Sequence, residues 1–365
     1  MDARRGRRGV TLAGAAVPGG DELYVPTRAA RPRKDTAGMM KIIALEEHLA
    51  TGEVLDAWRA LPPGRQDDSL EIFDQPRIEE RLVDLAAERI RSMDDVGVDV
   101  QVLSLTTPGL GNLDAPTAVS LARSTNDLIA ETVAARPDRF EGFATLPTPD
   151  PEEAASELHR AVDTLGLKGA MIFGRTGEYN MDHPGFHPLY DAAAELRVPL
   201  YIHPQLPRRA VRDTYYSGLG KEVELAFAGP GIGWHYETGI QLLRLVLSGT
   251  LDRHPDLQFI LGHWGEVVLF YLERMESLDS TIKLDRPLRD YFRQNVSYTP
   301  SGIFRQTYLQ RTIETVGVER VMFSTDYPFQ YAGDGGARAF LEHAELTPAD
   351  RELIAHGNWE RLLAR

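Results

Sequence analysis

Apolar and polar positions along this chain follow two alternating rhythms. Short, nearly unbroken apolar runs occur at Lys41–Leu45, Val98–Ser104, Phe140–Ala144, Ala170–Phe173, Pro199–Ile202, Gln258–Leu261, Asn295–Tyr298 and Val321–Phe323. Runs of this length and density read as strands buried on both faces. Between them the apolar spacing becomes helical. In Ile78–Val96, for example, Ile78, Leu82, Leu85, Ile90 and Met93 fall on one stripe. Further helices are predicted at Ala115–Arg136 behind an Asp114 N-cap, Ala154–Leu165 opened by Pro151, Pro188–Arg197, Tyr236–Ser248, Val267–Asp279, Phe304–Val316 and from Gly336 onward.

Strict strand–helix alternation argues for parallel strands joined by right-handed crossovers. Eight such units closing on themselves make an α/β (β/α)8 TIM barrel. A doubly wound open sheet is the competing arrangement. A nucleotide-binding version of it needs a glycine-rich loop after the first strand, and none is present. The longest irregular segments, Ala50–Pro76 and Arg208–Gly233, both follow strand ends, where barrel active-site loops belong.

Four predicted strands run directly into polar clusters. The first ends in Glu46-Glu47-His48, the fifth in His203-Pro204, the sixth in Gly262-His263-Trp264-Gly265-Glu266, and the eighth in Ser324-Thr325-Asp326-Tyr327-Pro328. Alternation along a strand puts Glu46 and His48 on one face. The C-terminal ends of barrel strands share one rim, so residues distant in sequence meet there. Glu46, His48, His203 and Asp326 then form an oxygen-and-nitrogen metal shell, with His263 and Glu266 as acid–base groups beside it. Taken singly, each has a plainer reading. A histidine after an apolar strand is more often a hydrogen-bonded core residue, Glu46 a solvated carboxylate, and Asp326 a turn cap. Their shared position at strand ends favours the metal reading. His183 and His187, in a proline-rich loop, have two readings, lining the site mouth or a structural role, and the structural role is favoured. His235 and Glu237 open a helix as caps or pocket groups, which the sequence does not decide.

Composition narrows the chemistry. The 365 residues carry 40 Lys and Arg against 54 Asp and Glu, a formal charge of −14, which disfavours a nucleic-acid partner. There is no cysteine, so one divalent ion, Zn²⁺ or Mn²⁺, held by carboxylate and imidazole is expected. No apolar run is long enough to span a bilayer, and a cytoplasmic protein without membrane partners is expected. Residues 1–38 are arginine-rich and aperiodic. They read as a disordered N-terminal extension before a barrel over 39–365. Arg7-Arg8 only faintly matches a twin-arginine signal, because Gly14, Pro18, Gly19 and Gly20 break the stretch that follows.

The segments Ala44–His48, Ala135–Phe140, Pro199–Pro204, Leu261–Glu266 and Phe323–Phe329 appear in the same order in a known family. From about residue 40 to its end, the chain resembles the metal-dependent aromatic-acid decarboxylases of the amidohydrolase superfamily, which act on γ-resorcylate and 2,3-dihydroxybenzoate. Aminocarboxymuconate-semialdehyde decarboxylase is a more distant relative. The resemblance implies one metal ion on Glu46, His48, His203 and Asp326. It implies that Asp326 also donates the proton, with His263 and Glu266 as a supporting pair and Arg274 on the substrate carboxylate. Glu-x-His at the first strand resembles the hydroxybenzoate decarboxylase branch, whereas hydrolases of the superfamily usually carry His-x-His. The expected activity is that of a non-oxidative carboxy-lyase acting on a small ortho-hydroxy aromatic acid. The alternative is a metal-dependent hydrolase of a lactone, amide or imine. A homodimer or homotetramer is implied. Tyr298, Phe304, Tyr327 and Phe329 are candidates to pack the substrate ring, with core packing as their plainer role. Gln330 stands where the family often has Glu, and the loops Ala50–Pro76 and Gly174–Gly185 depart from the family pattern.

Overall fold

The computed structural model describes residues 40–365, apart from 74 and 331–334. The expected disordered extension at 1–38 lies outside the described residues. Parallel strands β1 (Ile43–Leu49), β2 (Val100–Leu105) and β3 (Phe140–Gly142) pair in that order. β4 (Ala144–Thr145) continues β3 past Phe143, whose N–H donates to Leu103 O (2.9 Å). β4 pairs with β5 (Ala170–Phe173). A small antiparallel hairpin, β6 (Arg175–Thr176) and β7 (Tyr179–Asn180), follows β5. The parallel order then runs β5, β8 (Leu200–His203), β9 (Phe259–Leu261) and β10 (Val296–Tyr298).

The predicted eighth strand at Val321–Phe323 is a bridging segment rather than a regular strand, but it closes the ring. Met322 N donates to Tyr298 O (2.8 Å), Leu45 N to Phe323 O (3.0 Å) and His48 N to Tyr327 O (2.8 Å). Single parallel bridges join Tyr298 to Val321 and Glu47 to Tyr327. The result is a (β/α)8 barrel with its strand C-termini on one rim.

Alternation sorts side chains into two cores. Ile43, Leu45, Val102, Phe143, Met171, Tyr201, Ile260 and Met322 pack together inside the barrel. Trp359, from the last helix, joins them; its ring meets Phe143 edge-on at 5.5 Å and its Nε1–H donates to Glu141 (2.8 Å). Ala44, Leu103, Ile172, Ile202 and Leu261 face the outer core under the helices.

Two helical expectations change. The predicted Ile78–Val96 helix is two helices, Pro76–Val83 and Ala87–Val96. Asp84 breaks it by accepting from Ala86 N and Arg89 N (2.9 Å each). An aspartate that bonds nearby N–H groups competes with helix propagation and starts a new turn. The break carries Arg89 inward, where it is fully buried. It donates to His48 O (2.6 Å), Asp84 O (2.9 Å) and Gln101 Oε1 (3.3 Å), and lies 4.5 Å over the Tyr327 ring. The two long segments also hold helices, Gly52–Ala60 and Arg209–Tyr215 among them. The first is capped by Thr51 Oγ1, which accepts from Val54 N (3.2 Å), and anchored by buried Trp58, which donates to Gly109 O (2.8 Å).

Arg89→Met would strip His48 O and Asp84 O of a buried donor. We expect a loss of about 2–4 kcal/mol, read as a lower urea midpoint at unchanged m-value.

Candidate metal centre

Regular alternation from Ile43 and Leu45, both inside the barrel, would send Glu47 inward and Glu46 outward. The pairing of β1 with β2 slips instead, between Ala44↔Gln101 and Glu47↔Leu103. This irregularity reverses the phase, so Glu46 and His48 turn into the barrel mouth. Re-aiming side chains beside active sites is a known use of bulges.

Glu46, His48, His203 and Asp326 present ligand atoms that all lie within 4.8 Å of one another, and all four residues are buried. His48 Nε2 is 3.4 Å from Asp326 Oδ1, and His203 Nε2 is 3.4 Å from Glu46 Oε1. The remaining side-chain atoms of Glu46, His203 and His48 have partners. Glu46 Oε2 accepts from Tyr201 OH (2.7 Å), Ser301 and Ser324 (3.4 Å). The second ring nitrogen of His203 is 2.9 Å from Pro204 O, and that of His48 is 3.4 Å from Ser104 Oγ. Nδ1–H on His203 leaves its Nε2 lone pair for a cation. Glu46 Oε1 and His48 Nε2 are buried without a hydrogen-bond partner. Orphaned acceptors beside two more ligand atoms fit a divalent ion, and the donor set suits Zn²⁺ or Mn²⁺.

Burial pushes the Glu46 carboxyl up and the His203 imidazole well down. It pushes Asp326 up to about 7, against the pull of His263 and His235. Each shift marks a charge-bearing group held out of water.

A second cluster adjoins the first. Glu266 is fully buried, and its two oxygens accept from His263 Nδ1 (2.7 Å) and His235 Nδ1 (2.6 Å). Burial favours the neutral glutamic acid, but the two imidazoles bring Glu266 down to about 2. Burial likewise opposes charge on His263, yet Glu266, with Glu46 and Asp326, lifts it to about 10. Backbone strain gathers in the same place. His263, Glu266, Ser301 and Asp326 have φ of 46°, 50°, 45° and 60°. Non-glycine residues adopt such values at a cost, and they persist where surrounding contacts over-determine them.

A cavity of about 200 Å³ opens above the cluster. His203, Asp326, His263 and Thr107 line it at depth, Ile72, Ile78, Trp234 and Phe329 form walls, and exposed Gln75 and Gln330 edge it. Of the ring-packing candidates, Phe329 is in place, 5.8 Å from the His48 ring. The others are not. Tyr298 alternates into the outer core, where its OH donates to Phe292 O (2.9 Å). Phe304 stacks on Phe323 and Phe340 (5.6 and 5.1 Å). Tyr327 lies under Arg89. Arg274 is exposed in the last turn of helix Val268–Met275 and does not line this cavity. His235, left open by the sequence, is bound to Glu266; its signal was only a histidine opening the helix after a long loop. Glu237 pairs instead with Arg175 (3.6 Å).

Fold and site define an α/β barrel with a carboxylate–imidazole centre on its C-terminal rim. The chain belongs to the amidohydrolase family, whose model matches residues 48–365. It is 35% identical over 333 residues to the gamma-resorcylate decarboxylase of Polaromonas sp. (strain JS666), covering 88% of this chain and 97% of that one. The dihydroxybenzoic acid decarboxylase of Polaromonas sp. JS666, solved with manganese and the inhibitor 2-nitroresorcinol, is 35% identical with a TM-score of 0.77, covering 89% of this chain and 97% of that one. The 5-carboxyvanillate decarboxylase of Novosphingobium aromaticivorans, solved with manganese and 4-hydroxy-3-methoxy-5-nitrobenzoic acid, is 32% identical with a TM-score of 0.83, covering 90% and 97%.

Elemental analysis of the purified protein should find about one divalent ion per chain, and His48→Ala, lacking one ligand of four, should lose it on dialysis. In metal-free protein the His263 ring should stay protonated to beyond about pH 8, because Glu266 holds it charged. In Glu266→Gln burial dominates, and imidazole NMR should show His263 titrating below about pH 7.

Proposed function

We propose that this chain is a metal-dependent, non-oxidative decarboxylase, a carboxy-lyase, acting on a small ortho-hydroxy aromatic carboxylic acid. The observation that carries this reading is Glu46 in the metal shell, beneath a cavity sized for one aromatic ring. The names of the similar enzymes support the same reaction. Glu46, His48, His203 and Asp326 would hold the ion, and manganese in the solved relatives supports Mn²⁺ over Zn²⁺.

When bound, the cation would supply Lewis-acid chemistry toward the phenolate and carboxylate oxygens of the substrate. The chain's own residues do the rest. Phe329 and Trp234 flank the ring and exclude water. Asp326 holds a proton and passes it to the ring carbon that bears the carboxylate. That carbon–carbon bond then breaks, carbon dioxide leaves, and the bonding pair restores the aromatic ring. His263 is fixed through Nδ1 by Glu266, and its other nitrogen serves to return a proton to Asp326. Glu266 and His235 position His263. No organic cofactor is called for, since the ring itself accepts the electrons. A homodimer or homotetramer belongs to the same reading, and exposed Phe270 and Tyr308 on one groove support self-association. A cytoplasmic location is part of it as well. Among the described residues no helix is long and apolar enough to cross a membrane.

Metal-loaded protein should release carbon dioxide from a hydroxybenzoate and, in heavy water, place deuterium on the ring carbon vacated. Asp326→Asn should lose at least ~10³ of kcat. Oxygen-18 uptake from solvent into product, without carbon dioxide release, would sink the proposal and restore the hydrolase alternative.

A further inference from the structure

Helix Gly233–Leu247 opens with Trp234 and His235 side by side. Successive helical side chains point about 100° apart and do not ordinarily meet. Here they do: Trp234 Nε1–H donates to His235 Nε2 (3.2 Å). The other ring nitrogen, Nδ1, lies 2.6 Å from Glu266 Oε2. A single imidazole therefore spans from a wall of the cavity, Trp234, to the carboxylate that holds His263. The hydrogen on that ring follows from its partners. An indole N–H only donates, so Nε2 accepts and carries no hydrogen. The ring hydrogen then sits on Nδ1, where Glu266 accepts it. Pro230 O is also 3.2 Å from Nε2, and it would be a partner only for a ring protonated there. The Glu266 oxygens are divided between the two imidazoles, one each, and the carboxylate is fully buried. Losing the His235 donor would leave a buried oxygen unpaired and loosen the seat of His263.

We propose that, within the decarboxylase reading, His235 is a positioning residue that couples the fit of the substrate ring to the acid–base pair: Nδ1 seats Glu266 and through it His263, while Nε2 fixes the Trp234 wall.

Two substitutions separate the two duties. The amide nitrogen of an asparagine reaches about as far as Nδ1, and the amide oxygen of a glutamine about as far as Nε2. His235→Asn therefore keeps a donor for Glu266 and drops the acceptor for Trp234, and His235→Gln does the reverse. In the zinc-loaded full chain, nitrogen-15 NMR of the histidine rings should show hydrogen on Nδ1 of His235 and none on Nε2, its signals identified by their loss in His235→Asn. In the manganese-loaded protein, His235→Asn should weaken 2-nitroresorcinol ~5-fold by calorimetry and raise KM similarly, with a smaller fall in kcat. His235→Gln should lower kcat ~10-fold or more, with a smaller change in KM and in analogue binding. Trp234→Phe, which keeps a ring in the wall but lacks the N–H, should weaken the analogue and add little to His235→Asn. A hydrogen on Nε2 directed at Pro230 O overturns the proposal. So do variants that move Kd and kcat together, as a merely structural side chain would. If no hydroxybenzoate is turned over, the decarboxylase reading fails, while the ring hydrogen and the calorimetry still decide whether His235 fixes Trp234. Wild-type protein that does not bind the analogue would sink both.

Discussion

The carboxylate of Glu46 lies wholly out of water, and much of the barrel rim is arranged to make that tolerable. Stripping an ionised carboxyl of solvent is costly unless hydrogen bonds and opposite charge replace it. Tyr201, Ser301 and Ser324 supply the hydrogen bonds to one oxygen only. The other faces His203 and, beyond it, His48 and Asp326. A cation among these two carboxylates and two imidazoles would stabilise the site in its charged form. The fold and the metal chemistry are thus one electrostatic problem.

Glu47, the neighbour of Glu46, solves a different part of it. Its carboxylate accepts from Gln101 Nε2 (2.9 Å), Thr325 N (2.8 Å) and Thr325 Oγ1 (2.6 Å). Burial nonetheless lifts its pKa to about 8. These bonds tie β1 and β2 to the segment that delivers Asp326. Arg89 secures the same corner through His48 O. Adjacent glutamates therefore divide the work, one turned to the reaction and the other holding in register the strand ends that make the reaction possible.

Much of this was legible in the sequence, because barrels announce themselves through repetition and gather chemistry at strand ends. The four shell residues followed from position alone. The reason they share a face was hidden: simple alternation puts Glu46 and His48 together, but only the slip after Ala44 turns that pair inward. Nothing local, neither glycine nor proline, announces it. Of the aromatic assignments Phe329 lines the cavity, and Tyr298 misses it for a related reason. Tyr298 sits one residue beyond inward-facing Ser297, and a single step in register decides between barrel interior and outer core. The Asp84 break and the link between His235 and Glu266 depend on side chains meeting in space, which periodicity does not encode.

The ring is closed by its first and last strands' worth of chain. β1 bonds to Phe323 and Tyr327, and Trp359 from the final helix packs into the barrel interior. A nascent chain emerging from the ribosome presents Glu46 and His48 long before Asp326. The four-residue cluster, and the barrel core that Trp359 completes, can therefore assemble only after the later strands have been made. Until the Val321–Tyr327 segment emerges, β1 is paired on one side only, and its other edge is exposed to mispairing.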